Sequence, residues 1–121
     1  GDAPRPTGAV CTPGTNITFD GVTAKDHCTP PANAPTVPNG TWVKAELEVL
    51  PSGAISQKIN GVVVHHYANV TLDPDDTVAG GAKPYILARG AQPVTGGYIA
   101  LQSEGHPIEF KDIEIQELTA R

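Results

Sequence analysis

An all-β sandwich of antiparallel strands is the fold class that this sequence predicts, on three observations. Turn formers are dense, with 13 Gly and 12 Pro in 121 residues. Only short apolar runs lie between them, and several alternate apolar with polar residues, the period of a strand with one buried face. One pair of such runs is joined by Asn60-Gly61, the strongest two-residue hairpin signal, because both central residues of a type I′ turn need positive φ. These features favour packed sheets over a helical bundle. The length suits one domain, 1–121, made of a Pro/Gly/Thr-rich part, 1–40, and an ordered, strand-rich part, 41–121.

Composition narrows the function classes. A formal charge of −5, with eight scattered Lys and Arg, argues against nucleic acid, since phosphate binding needs clustered cations. No apolar run reaches the length of a membrane span and no signal peptide is visible, so the chain reads as a soluble, mature product. Cys11 and Cys28 lie in a segment of Thr, Pro, Gly and Asn with few core-forming residues. A disulfide between them would close a loop that little else holds, and it implies an oxidising compartment, secreted or periplasmic. The alternative is a metal site that adds His27, although two Cys and one His lack the spacing and fourth ligand of a zinc site. Sequons at Asn16, Asn39 and Asn69 agree with secretion and weigh little in Thr-rich sequence.

Along the chain, 1–40 shows no clean alternation. Thr7 to Cys11 and Asn16 to Phe19 are its two short strands, and the remainder is expected as loop around Pro30-Pro31, Pro35 and Pro38. Order begins at Trp42. Val43, Ala45, Leu47 and Val49 alternate with Lys44, Glu46 and Glu48, which predicts a half-buried strand with a charged outer face. Pro51-Ser52-Gly53 turns the chain, Ala54 to Ile59 returns it, and Val62 to Tyr67 completes a meander, with Asn69 to Leu72 either extending that strand or opening a loop. Asp73-Pro74-Asp75-Asp76 lacks the glycine and distal glutamate of an EF-hand and reads as a solvated turn. Thr77 to Thr95 is a long connection with one apolar patch, Tyr85 to Ala88, and no helix is expected.

Two further strands are expected in Gly97 to Ile115, joined by a tight corner at Gly105. Ile99 and Leu101 share a face with Ser103, leaving Tyr98, Ala100, Gln102 and Glu104 on the other. In the second arm Ile108 and Phe110 fall on even positions and Ile113 and Ile115 on odd ones. One extra residue near Lys111-Asp112, a β-bulge, would return both sets to the same face.

The run Gly97-Tyr98-Ile99-Ala100-Leu101-Gln102-Ser103-Glu104-Gly105, followed after two residues by Ile108-Glu109-Phe110-Lys111-Asp112-Ile113-Glu114-Ile115, resembles the closing signature of the 3-keto-disaccharide hydrolase domain family. The family's usual Phe-Arg-Asn-Ile is here Phe110-Lys111-Asp112-Ile113. The Trp42-led strand, its return strand and the Asn60-Gly61 turn come in the family's order too. The resemblance implies a concanavalin-like jelly roll. It covers Trp42 to Leu118 well and 1–40 poorly, and roughly six to eight strands are fewer than that fold needs. The expectation is therefore a sandwich lacking its opening strands, completed by a complementary fragment or by neighbouring copies, because exposed edges and apolar faces seek cover.

The resemblance further implies carbohydrate as the partner and the concave sheet face as the sugar site. Glu104 is then the candidate acid or base, Gln102 an amide able to hold a sugar hydroxyl by donating and accepting, and His106 the acid–base or metal-ligand neighbour of Glu104. Tyr98 lies on the same face as Gln102. His65 and His66 project to opposite faces of their strand, and His66 is the one assigned to substrate. The structural alternative has Glu104 capping the corner and Gln102 pairing across strands. No phosphate loop or nucleophile elbow is present. An ordinary glycosidase needs a second carboxyl group, which here would come from Asp112, from the Asp73 to Asp76 turn or from strands outside the chain. A 3-keto sugar relaxes that need, because its carbonyl acidifies C2–H and one base plus an amide or a divalent metal ion to polarise the carbonyl supports elimination. Three functions are thus expected: a hydrolase of a 3-keto disaccharide or related glycan, a carbohydrate-binding module using Tyr67, Tyr85 and Tyr98, or a structural subunit of an extracellular assembly.

Overall fold

The computed structural model describes residues 5–77, 80–103 and 105–118. Its elements are β1 (Val10–Cys11), β2 (Thr15–Phe19), β3 (Val22–Thr23), β4 (Cys28–Thr29), β5 (Ala45–Val49), β6 (Ile55–Ile59), β7 (Val62–Leu72), a 3₁₀ turn (Gly80–Ala82) and α1 (Lys83–Arg89). The fold is all-β and antiparallel, with one short helix. β1 and β4 form a two-stranded ribbon, and the main sheet runs β3-β2-β7-β6-β5.

β7 is the axis of the molecule. Its first half pairs with β6 and its second half with β2. An 11-residue strand stays paired on both flanks because it carries two irregularities. Opposite β6 the register shifts between Gln57 and Lys58, leaving Val64 as an extra residue. Val64 and His65, neighbours in sequence, are consequently both buried, which a regular strand would forbid. Opposite β2 the register shifts between Asn16 and Thr18, beside Asn69 at φ 56°. Asn69 to Leu72 therefore extends the strand. Past the end of β6, residues 92–94 continue the pairing through Leu72 N–H to Gln92 O and Val94 N–H to Val70 O, both 2.9 Å. At the β6–β7 hairpin Asn60 and Gly61 have φ of 49° and 83°, the left-handed pair that a type I′ turn requires.

The proline-rich start forms the layer that covers β7. Val10 packs with Ile17 and Tyr67, ringed by Phe19, Ala24, Ile55 and Val70. Gly8 reaches the sheet at φ 108°, where a Cβ would stand 2.8 Å from Ile59 Cγ1. Its carbonyl accepts a 2.8 Å bond from His65 Nε2, which fixes the proton on that nitrogen. Ala32 N–H donates to Val64 O, and Thr7 N–H donates to Pro35 O. Phe19, His65 and Tyr67 form an aromatic trio with centroids 5.9 to 6.5 Å apart. Order thus begins well before Trp42, and the described residues 5–40 hold four short strands, β1 to β4, rather than two.

Four further expectations are corrected. α1 replaces the loop expected at Tyr85 to Ala88: Pro84 sits in its first turn, Gly90 ends it at φ 72° with its N–H on Ile86 O, and Ile86 is buried. β5 is exposed along its whole length instead of half-buried, because it is a sheet edge with neither face covered. Gly97 to Ile115 forms no strand among its described residues, all of which are exposed. The bulge expected at Lys111-Asp112 is not formed either: Asp112 has φ 52°, but no ladder surrounds it. Tyr67, expected at the surface, is buried in the core.

Candidate functional site

Residues 37–43, which lead into β5, run alongside residues 102–103 and 106–108. Just beyond the second segment, Lys111 Nζ sits 4.3 Å from the centroid of the Trp42 ring, a cation–π contact with the first. Between the two segments opens a cavity of about 450 Å³, lined by Asn39, Thr41, Gln102, Ser103 and His106 as polar groups and by Val37, Val43 and Ile108 as apolar ones. The size is that of a small-ligand site. Amide, hydroxyl and imidazole groups beside an apolar wall are the chemistry that recognises a sugar: hydroxyls need paired donors and acceptors, and the ring's C–H face needs apolar contact. Thr7 anchors the wall, its Oγ1 accepting from Val37 N–H at 3.0 Å.

The structure brings together two of the sequence-predicted site residues, Gln102 and His106. Glu104 lies outside the described residues. Tyr98 is fully exposed and does not line the cavity. His66 is exposed on β7, its Nδ1 3.0 Å from Ser56 Oγ, and is no part of the cavity either. Asn39 and Thr41 were missed as lining groups. The signal available was only a Gly-containing polar turn before Trp42.

A second polar cluster sits at the opposite end of β7. Asp73 and Asp76 are buried, which corrects the expectation of a solvated turn. His27 Nε2 donates to Asp73 Oδ2 at 3.0 Å and stands 3.7 Å from Asp76 Oδ2. Asp73 Oδ1 accepts from Asp75 N–H, and Asp76 Oδ2 accepts from Gly14 N–H. Lys83 Nζ donates to the carbonyls of Pro74 and Asp76. The carboxylates are thus satisfied by N–H donors of the chain itself, and the cluster clasps the β1–β4 ribbon, the end of β7 and α1 together. Beside it Cys11 and Cys28 form the expected disulfide, which leaves His27 to the aspartates. Among the described residues no group of three or more His, Cys, Asp or Glu is placed to hold a metal ion. Burial pushes the Tyr67 phenol above the usual tyrosine range, against a smaller opposing effect of the 2.7 Å bond that Gln57 Nε2 donates to it.

Residues 1–116 match the 3-keto-alpha-glucoside-1,2-lyase-like domain. The match takes in the proline-rich start as well as the strands that follow. No curated protein and no solved structure matches the chain. With nearly its whole length inside that match, the chain belongs to the 3-keto-alpha-glucoside-1,2-lyase-like domain family.

Proposed function

We propose, from that family membership as premise, that the protein is an extracytoplasmic enzyme that cleaves the glycosidic bond of a 3-keto disaccharide or related glycan, with the cavity between 37–43 and 102–108 as its sugar site. The family match carries the reading. Support from the fold is that Gln102, Ser103 and His106 share a sugar-sized, polar-lined space with Asn39 and Thr41. Support for the compartment is the Cys11–Cys28 disulfide.

In the proposed reaction a base removes the proton at C2, acidified by the neighbouring C3 carbonyl. The electron pair forms the C1–C2 double bond as the C1–O bond breaks, and the departing alcohol takes a proton from an acid. Water then adds across the double bond to give the hydrolysis product. We assign proton transfer to His106 and Glu104, and polarisation of the C3 oxygen to the Gln102 amide N–H. Elimination needs no pair of carboxyl groups across the scissile bond, so the single carboxylate of Glu104 suffices for the proposed reaction.

The test is turnover of a 3-keto-α-glucoside, read by release of the alcohol or second sugar. Wild type is expected to turn over, with Glu104→Gln and His106→Ala each reducing kcat by about 10²- to 10⁴-fold and Gln102→Ala acting on the same step. Saturable binding without turnover would select a carbohydrate-binding module using the same cavity. Neither binding nor turnover, together with large ordered multimers, would select a structural subunit, a reading favoured by the exposed apolar side chains of 98–118.

A further inference from the structure

Two Asn-Gly pairs occur in the sequence, Asn39-Gly40 and Asn60-Gly61. An asparagine followed by glycine can lose ammonia without an enzyme, because the glycine nitrogen reaches the side-chain carbonyl carbon with no Cβ in its path. Asn16, Asn33 and Asn69 precede Ile17, Ala34 and Val70, whose Cβ atoms crowd that approach. Both asparagines of the Asn-Gly pairs are exposed, so access does not separate them. Their restraints do. Asn60 is clamped at the β6–β7 hairpin: its N–H donates to Lys44 O at 2.9 Å, and its side-chain Oδ1 accepts from Lys44 N–H at 2.9 Å. The ladder closes directly around the pair, with Ile59 opposite Val62.

Asn39-Gly40 has none of these restraints and lies outside any strand. Thr41 N–H closes the turn on Pro38 O at 3.3 Å, with Gly40 at φ 80°, the left-handed residue that a type II turn requires at its third position. The Gly40 N–H takes no part in that closing bond. Among the described residues neither the Gly40 N–H nor the Asn39 side-chain amide has a hydrogen-bond partner. The nucleophile and the carbon it attacks are therefore both unengaged. Asn39 also lines the cavity described above, so solvent water reaches it.

We propose that Asn39 is a site of spontaneous deamidation, which places a carboxylate in the cavity lining, while Asn60 keeps its amide. The Gly40 nitrogen gives up its proton to a solvent base and attacks Asn39 Cγ. The N–Cγ bond forms, the Cγ–Nδ2 bond breaks, and the leaving nitrogen takes a proton from water to depart as ammonia. Water then opens the resulting succinimide at either carbonyl, leaving aspartate or isoaspartate. Both products bring a negative charge into the lining shared with Gln102 and His106. Isoaspartate also adds a carbon to the main chain just ahead of Thr41 and Val43, which line the same cavity. The modification stands independently of the enzymatic reading.

Peptide mapping by mass spectrometry of the full chain, kept folded in mildly alkaline buffer with its disulfide intact, is the test. Each Asn-Gly peptide is followed over time for its amide, aspartate and isoaspartate forms, a readout that needs neither sugar nor turnover. In the folded chain Asn39 is expected to convert at least about tenfold faster than Asn60, because the two Lys44 bonds must open before Asn60 can react. In denaturant, where the fold restrains neither pair, the two rates are expected to converge. Asn39→Gln, whose longer side chain would have to close a larger ring, is expected to abolish conversion in that peptide and leave Asn60 unchanged. Equal rates in the folded chain, or faster conversion at Asn60, overturn the proposal. So does an Asn39 that keeps its amide in the folded chain while both pairs convert in denaturant, or a folded-state rate ratio no larger than the ratio in denaturant.

Discussion

Residues 5–40 carry little apolar alternation, yet they are fixed to the sheet by cross-links of several kinds: the Cys11–Cys28 disulfide, the bond from His65 to Gly8 O, the bond from Ala32 to Val64 O and the clasp of His27 with Asp73 and Asp76. Residues 97–115 carry apolar–polar alternation along both arms, yet their described residues are exposed and unpaired as strands, with Tyr98, Ile99 and Ile115 among the most accessible apolar side chains. The difference teaches that alternation specifies a face and not a partner. A strand forms where another strand or a covering layer takes up its backbone and its apolar face, and local cross-links can supply that where hydrophobic pattern does not.

The strongest way to break this contrast is to open the disulfide. Cys11 and Cys28 are 17 residues apart, and replacing both with Ser is expected to cost about 3 kcal/mol of stability, chiefly through loop entropy, measured by urea unfolding. Next, Asp73→Ala removes a buried acceptor of the His27 and Asp75 bonds and is expected to cost about 2 kcal/mol. Gly8→Ala meets both a positive φ and the Ile59 side chain, with an expected loss of about 1 to 3 kcal/mol. At the other end of the scale Ile99→Ser, on a side chain 75% exposed, is expected to change stability by less than about 0.5 kcal/mol. An Ile99→Ser loss as large as that of Gly8→Ala would erase the contrast.

Much of this was legible in the sequence, and the limits have physical causes. The hairpin at Asn60-Gly61 is decided by local φ requirements, and the disulfide by the poverty of its surroundings, so both could be read directly. The family could be read from the order and spacing of the 97–115 run, even though its described residues form no strand. His27 and Asp73 could not be joined, because 46 residues separate them and only the path of β7 brings them into contact. α1 was hidden by its brevity, although Pro84 and Gly90 mark its two ends. Within the proposed site Gln102 and His106 were picked by residue type and position, whereas Asn39 and Thr41 join them only through the run of 37–43 beside 102–108.

The smallest expected effect concerns pH. Because burial raises the Tyr67 pKa above that of the unfolded chain, the folded state holds its proton where the unfolded state releases it. The associated stability is intact below about pH 10, the unfolded value, and declines as pH rises through the folded value. Alkaline titration of unfolding free energy should show that decline, and Tyr67→Phe should flatten it.

Amide hydrogen exchange, with and without a 3-keto-α-glucoside, tests the central claim most directly. In the free protein, protection is expected at the bonded amides of β2, β6 and β7 and at Ala32, with rapid exchange through 97–118. Added ligand is expected to slow exchange at 39–43 and 102–108 and to leave the His27–Asp73 clasp unchanged. Exchange at 97–118 as slow as in β7 without ligand, or ligand protection that bypasses 39–43 and 102–108, would contradict the account.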